Sequence, residues 1–222
     1  MIPQVLFLLS CTILYYSYEK VDTDLLCQSS SYCNLPEEKR IYVVKNVLKG
    51  FYLCFIFLAS IYFVIPSMLR NEWDNTTLQS FASLYVSNDI VGLYRVKLHM
   101  STRLHHMTAA AFLMAAWCAD FQNSTTARML CIYTLFSAAT FPVNMYLGFR
   151  FLQDIKDEVR YKLYKCAKNT YTVCCILNWL IQIYMGYYNT ETTMMVYLAG
   201  LTLIIYDDII LLRWFYTNNP YA

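Results

Sequence analysis

The sequence predicts an all-α, multi-pass membrane helix bundle, and three observations carry that prediction. The 222 residues are 58% hydrophobic and only 14% charged, where soluble domains carry about 25% charged residues. Several uncharged stretches reach the roughly 20 residues that span a bilayer. The lysines and arginines are concentrated in alternate loops. Five Gly and five Pro leave no low-complexity linker, and no internal repeat is visible.

Seven candidate spans follow one another along the chain. Residues 1–18 are uncharged and just long enough. They lack a basic lead-in, and the sequence ILYYSYEK offers no small-residue cleavage site, so they read as a helix rather than a signal peptide. Residues 50–69 (GFYLCFIFLASIYFVIPSML), 129–149 and 169–190 are uncharged throughout. Residues 78–94 contain Asp89, residues 104–119 open with His105 and His106, and residues 192–212 contain Asp207 and Asp208. That many apolar stretches cannot share one small water-soluble core.

With seven spans the loops alternate between two sides. Fifteen of the 17 Lys and Arg then share one side, and Arg70 and Arg128 are left on the other. The positive-inside rule places the basic side, with the C-terminus, in the cytosol or in an equivalent space such as a mitochondrial matrix. Two sequons, at Asn75 and Asn123, fall on the opposite side, as lumenal acceptors must. These features favour the endoplasmic reticulum, with the mitochondrial inner membrane as the alternative.

Two basic-side segments look amphipathic. In 40–48, Ile41, Val44 and Leu48 share a face. In 150–168, Leu152, Ile155, Val159, Leu163 and Cys166 recur at helical spacing. Both are expected to lie against lipid headgroups or to extend as cytosolic helices. Of the nine cysteines, Cys27 and Cys33 stand six apart in the first loop and form the candidate pair, although that side is the reducing one.

Ionisable groups inside spans are costly and usually face a cavity or one another. Counting inward from Arg95, Arg103, Arg150 and Arg213 at 1.5 Å per residue puts Asp89, His105, His106, Asn144, Asp207 and Asp208 about 4–10 Å inside the basic boundary. Four helices thus offer polar groups at one level, which predicts a single polar pocket under an apolar half that accommodates lipid chains. The candidate lipid-binding residues are Asp89, His105, His106, Asn144, Asp207 and Asp208. If the chain is an enzyme, His105 or His106 is the candidate catalytic base, with Asp89 or Asp208 as its orienting partner. Three His are too few for a di-iron site, and no HExxH, P-loop or dinucleotide fingerprint occurs. No metal and no cofactor is expected.

Residues 87–117 (SNDIVGLYRVKLHMSTRLHHMTAAAFLMAAW) resemble the TLC-domain proteins, the group that holds the TRAM proteins and the ceramide synthases. In that family an Asp-bearing helix leads through a short basic loop into a helix opening with His-His, as Asp89 and His105-His106 do here. Residues 141–152 (FPVNMYLGFRFL) resemble the family's Pro-x-Asn helix end, with Asn144 in the Asn position. The resemblance implies a six-helix core at 48–222, preceded by an N-terminal transmembrane helix and basic loop at 1–47. Ceramide synthases also carry a His-Asp-x-x-Asp segment one helix later. Here that stretch reads Phe136-Ser137-Ala138-Ala139-Thr140, with neither His nor Asp. The resemblance therefore implies the fold and a lipid-sized pocket, not the acyl transfer.

The functional expectation is a non-catalytic protein that binds or organises lipid, or a structural subunit of a larger membrane complex. The alternative is a lipid acyl-transfer enzyme of the ceramide synthase type using the His-His pair. The expected partners are membrane lipids and other membrane subunits, with no nucleic acid. A transporter is less favoured, because broken helices at the midplane are few.

Overall fold

A computed structural model describes residues 1–218. Among the described residues the structure is helices joined by short loops, without a strand. Helix α1 is Ile2–Gln28, with Pro3 in its first turn, and the single turn α2 is Ser30–Cys33. Helix α3, Glu37–Phe63, starts with Glu37 and Glu38, whose charges suit a helix N-terminus. It passes into α4, Ile65–Leu69, and Pro66 in the first turn of α4 accounts for the break. Helix α5 is Asn75–Arg95, capped by Asp74, which accepts from the Thr77 N–H at 2.7 Å. Helix α6 is Met100–Cys118. Helices α7, Thr125–Ala139, and α8, Phe141–Phe149, are separated at Thr140 ahead of Pro142. Helices α9, Asp157–Tyr187, and α10, Thr193–Thr217, complete the chain.

These helices make seven rods, since α3 with α4 and α7 with α8 each run as one. Every apolar stretch expected from the sequence lies in its own rod. Three rods, Glu37–Leu69, Thr125–Phe149 and Thr193–Thr217, are long and apolar enough to cross a membrane. The expected count of seven crossings is matched, by length and composition, for those three. The exterior agrees with a membrane setting: Phe55 is 66% exposed, Ile183 71% and Val196 73%, while Asn88, Asp89 and Asn178 are buried. Large apolar side chains on the outside, with polar ones buried among an apolar interior, depart from the arrangement of a soluble domain.

The loops sort to two ends. At the basic end, Asp154 accepts from the hydroxyls of Ser29 (2.6 Å) and Ser31 (2.9 Å) and from the Ser31 N–H (3.1 Å), and Arg95 donates to the Tyr15 carbonyl (3.0 Å). At the opposite end, Asn75 accepts from the Phe121 N–H (2.7 Å), and Glu191 accepts from the Ser124 hydroxyl (2.8 Å) and the Thr125 N–H at the start of α7.

Two contacts fix the rod spacing. On α1, Ser10 hydrogen-bonds Ser87 of α5 at 2.8 Å, and Tyr52 of α3 reaches both. Helices α3 and α8 cross at two glycines. A Cβ on Gly50 would meet the Met145 backbone N at 2.9 Å, and one on Gly148 would meet the Val47 N at 3.1 Å. Small residues let the two backbones approach, as at other membrane helix crossings.

Both amphipathic segments run into the rods that follow them, as one of their two expected arrangements has it, but they bury other faces than expected. Residues 40–48 belong to the continuous helix α3, and Val43, Val44, Lys45, Asn46 and Val47 are buried. Its inner face packs on protein rather than headgroups. In the second segment Val159 and Cys166 are exposed, and the buried face is Tyr164, Ala167 and Tyr171. Helix α9 is turned because Tyr164 and Tyr171 stack around Phe215 of α10. Cys27 and Cys33 are free thiols, as are the other seven cysteines. Helix α3 also runs unbroken across the 47/48 position.

Candidate functional site

The polar groups expected at one level meet around a cavity of about 410 Å³ at the basic end. Asp89 of α5 is 1% exposed. It stands 2.6 Å from the Lys49 ammonium of α3 and 3.0 Å from Nδ1 of His106 on α6. The imidazole is close to Asp89 but not aligned for a hydrogen bond. Both His106 nitrogens and the second Asp89 oxygen are buried without a hydrogen-bonded partner. His105 turns toward α10, with Nδ1 3.3 Å from Asp207. Asp207 also accepts from the Thr102 hydroxyl at 3.2 Å.

Asp208, one residue further along α10, faces another way. It is buried and accepts from the hydroxyls of Tyr133 on α7 and Tyr171 on α9, the latter at 2.9 Å. Two phenols thus satisfy a carboxylate at a depth where an unpaired one would be costly. Asn144 of α8 lines the cavity and makes no hydrogen bond among the described residues. His99, outside the expected set, sits at the mouth, and its ring faces the Ser101 N–H at 3.4 Å.

All six residues singled out in the sequence lie in or directly behind this one site. Asp89 stands behind Lys49 and His106 rather than on the cavity wall. The carboxylate nearest His106 is Asp89, and that nearest His105 is Asp207. The sequence reading missed Lys45, Asn46, Lys49, Tyr133 and Tyr171. The helix α3 residues Tyr42, Lys45, Asn46, Lys49 and Leu53 recur at helical spacing and line the cavity together, but the spacing alone does not say which way that face turns. Beyond His105 the apolar space narrows to a void of about 30 Å³ beside Tyr85, Phe112 and Leu130. A wider groove of about 740 Å³ opens at the opposite end between α6, α7 and α10.

Asp89, His105 and His106 offer ligand atoms that all lie within 4.8 Å of one another, a spacing that suits a metal ion. The Lys49 ammonium already supplies positive charge to Asp89, so a divalent ion there would have to displace it.

A site of this kind, in an all-helical chain with membrane-length apolar rods, defines the class as a helical membrane protein with a buried polar pocket. Comparison with family models, with curated proteins and with solved structures returns no match.

Proposed function

We propose that the chain is an integral membrane protein of TLC-like architecture that binds or organises lipid through the pocket at its basic end, without catalysis, as a subunit of a larger membrane assembly. The observation that supports this is the convergence of charged and neutral polar groups from α3, α5, α6, α8 and α10 on one cavity whose remaining wall is apolar (Leu53, Val143, Leu147, Leu211). A polar head beside apolar packing is what such a wall accommodates. All seven rods cross the membrane in this reading. The Lys/Arg-rich loops and the C-terminus lie in the cytosol, the membrane being the endoplasmic reticulum, or in the matrix if it is the mitochondrial inner membrane. The absence of the family's His-Asp segment from residues 136–140 supports a non-catalytic role. Native purification of the full chain, followed by mass spectrometry of co-purifying lipids and proteins, tests this directly. Recovery of the chain alone, free of lipid beyond the bulk composition, counts against it.

One observation favours a second reading. His106 is buried against Asp89, and a base held by a carboxylate is the arrangement that lipid acyl transfer needs. A His106→Ala variant that leaves the cellular lipid profile unchanged removes this alternative.

A further inference from the structure

The charges around the cavity do not balance locally. Lys49 has Asp89 as its partner at 2.6 Å. The remaining carboxylates on the wall are engaged elsewhere, Asp207 with His105 and Thr102, and Asp208 with two tyrosine hydroxyls. Three cations on the same wall have no carboxylate. Lys45 is 8% exposed, faces the cavity, and makes neither a hydrogen bond nor an ion pair among the described residues. Arg150 is held between the rings of Phe151 (4.6 Å) and Trp214 (4.7 Å), and its Nε is buried without a partner. Lys97 is exposed at the mouth, also without an ion pair.

Buried charges are ordinarily paired, because an unpaired one forfeits its hydration. Lys45 is nine-tenths buried, and the group it faces is the open space of the cavity. Aromatic rings on both sides hold the Arg150 fork in place without neutralising it. A planar fork and two ammonium groups lining one cavity of about 410 Å³ are the elements that receive a phosphate group.

We infer that Lys45, with Arg150 and Lys97 at the mouth, forms a subsite for a phosphate-bearing anion, so that the pocket's ligand is an anionic amphiphile rather than a neutral lipid. The inference rests on the lipid-binding reading for the amphiphile and on the unpaired cations for the phosphate. Asp89 and Lys49 remain paired when the anion binds, and Lys45 donates to the phosphate oxygens.

The test uses the full chain in detergent micelles, with native mass spectrometry and tryptophan fluorescence as readouts. The probes are dioleoyl phosphatidic acid, dioleoylglycerol with the same chains, and inorganic phosphate. The expected result is at least tenfold tighter binding of phosphatidic acid than of dioleoylglycerol. Lys45→Gln should lose about that tenfold, Lys45→Arg should largely keep it, and Lys162→Gln, an equal charge removal on the basic side away from the cavity, should change nothing. Lys45→Gln removes a buried charge, so its unfolding temperature is expected to hold or rise, which separates lost binding from lost folding.

Displacement by millimolar inorganic phosphate, again dependent on Lys45 and without an advantage for phosphatidic acid, supports the anion subsite with free phosphate as its occupant. Equal binding of phosphatidic acid and dioleoylglycerol overturns the subsite and leaves the lipid pocket standing. Equal losses in Lys45→Gln and Lys162→Gln also overturn it, since nonspecific surface charge then accounts for the attraction. Binding of none of the three probes overturns both.

Discussion

The pair Lys49–Asp89 should behave as a coupled unit, and a double-mutant cycle reads that coupling. Asp89 is 1% exposed, and the Lys49 side chain is 12% exposed on the cavity wall. Removing one partner of a buried pair costs about 3–5 kcal/mol, chiefly because the other charge is left uncompensated. Lys49 borders the cavity and retains some access to water, so Asp89→Asn belongs at the low end, about 3 kcal/mol. Lys49→Met leaves Asp89 beside His106, which can take a proton and substitute for the ammonium, and about 2 kcal/mol is expected there. The double variant buries neither charge, and its loss should be smaller than the sum by at least about 2 kcal/mol, the scale of coupling between contacting charges. Reversible unfolding of the full chain in mixed micelles, followed by circular dichroism, supplies the four free energies. Additivity within about 0.5 kcal/mol, the scatter expected of independent sites, would refute the idea that this carboxylate is held by that ammonium.

Three further outcomes follow from particular contacts. Gly50→Ala and Gly148→Ala press a methyl onto the backbone of the facing helix, so each should lower stability by about 1–3 kcal/mol; Gly92→Ala, where a Cβ meets nothing within 4 Å, should gain about 0.5–1 kcal/mol from helix propensity, and thermal unfolding of the three variants checks the contrast. At Glu191 burial works to raise the carboxyl's pKa, but hydrogen bonds from Ser124, Thr126 and the backbone at the start of α7 outweigh it and hold it below the usual range; Glu191→Gln should cost about 1 kcal/mol through the weakened cap, read by the same unfolding assay. Hydrogen bonds from Ser29 and from the backbone and hydroxyl of Ser31 lower the Asp154 carboxyl to about 2; a carboxyl lowered in the folded state stabilises it above the unfolded value of about 3.9, and that contribution fades as pH falls toward 2, so the gap in unfolding temperature between the parent chain and Asp154→Asn should close over that window.

How far the sequence spoke depended on whether a signal lived within one segment. The helices were legible because long apolar stretches can be read alone, three of them long enough to cross a membrane, and the break at Thr140 followed from Pro142. The level of the polar groups was legible as well, since a helix advances by a fixed rise and each span carried its own basic marker. The rotation of each helix was not. Lys45 and Lys49 looked like the polar face of a surface helix, because nothing in 40–48 reveals that the cavity, and not the lipid, lies on that side. The partners of Asp208 were out of reach for the same reason: Tyr133 and Tyr171 sit 75 and 37 residues away, and 21 tyrosines in the chain give no means of choosing two. The face predicted for 150–168 failed because aromatic stacking on Phe215 outweighed the aliphatic periodicity that suggested it.

The two aspartates of α10 show what the arrangement implies. Neighbouring residues on a helix point about 100° apart, and Asp207 and Asp208 accept hydrogen bonds from different helices. Asp207 turns to the His-bearing helix α6, where it accepts from the Thr102 hydroxyl and stands beside His105. Asp208 turns to α7 and α9, where two phenols close it off. One carboxylate therefore ties three rods together, while its neighbour stays with the pocket. Across the cavity on α3, Lys49 is tied to α5 through Asp89 and Lys45, one turn earlier, is tied to nothing. On α3 one ionic group is tied to a neighbouring helix and the next is left facing the cavity, whereas on α10 both carboxylates reach other helices. Lys45 and Arg150 line the cavity together with His105 and Asp207, and these are the groups a headgroup bound there would meet.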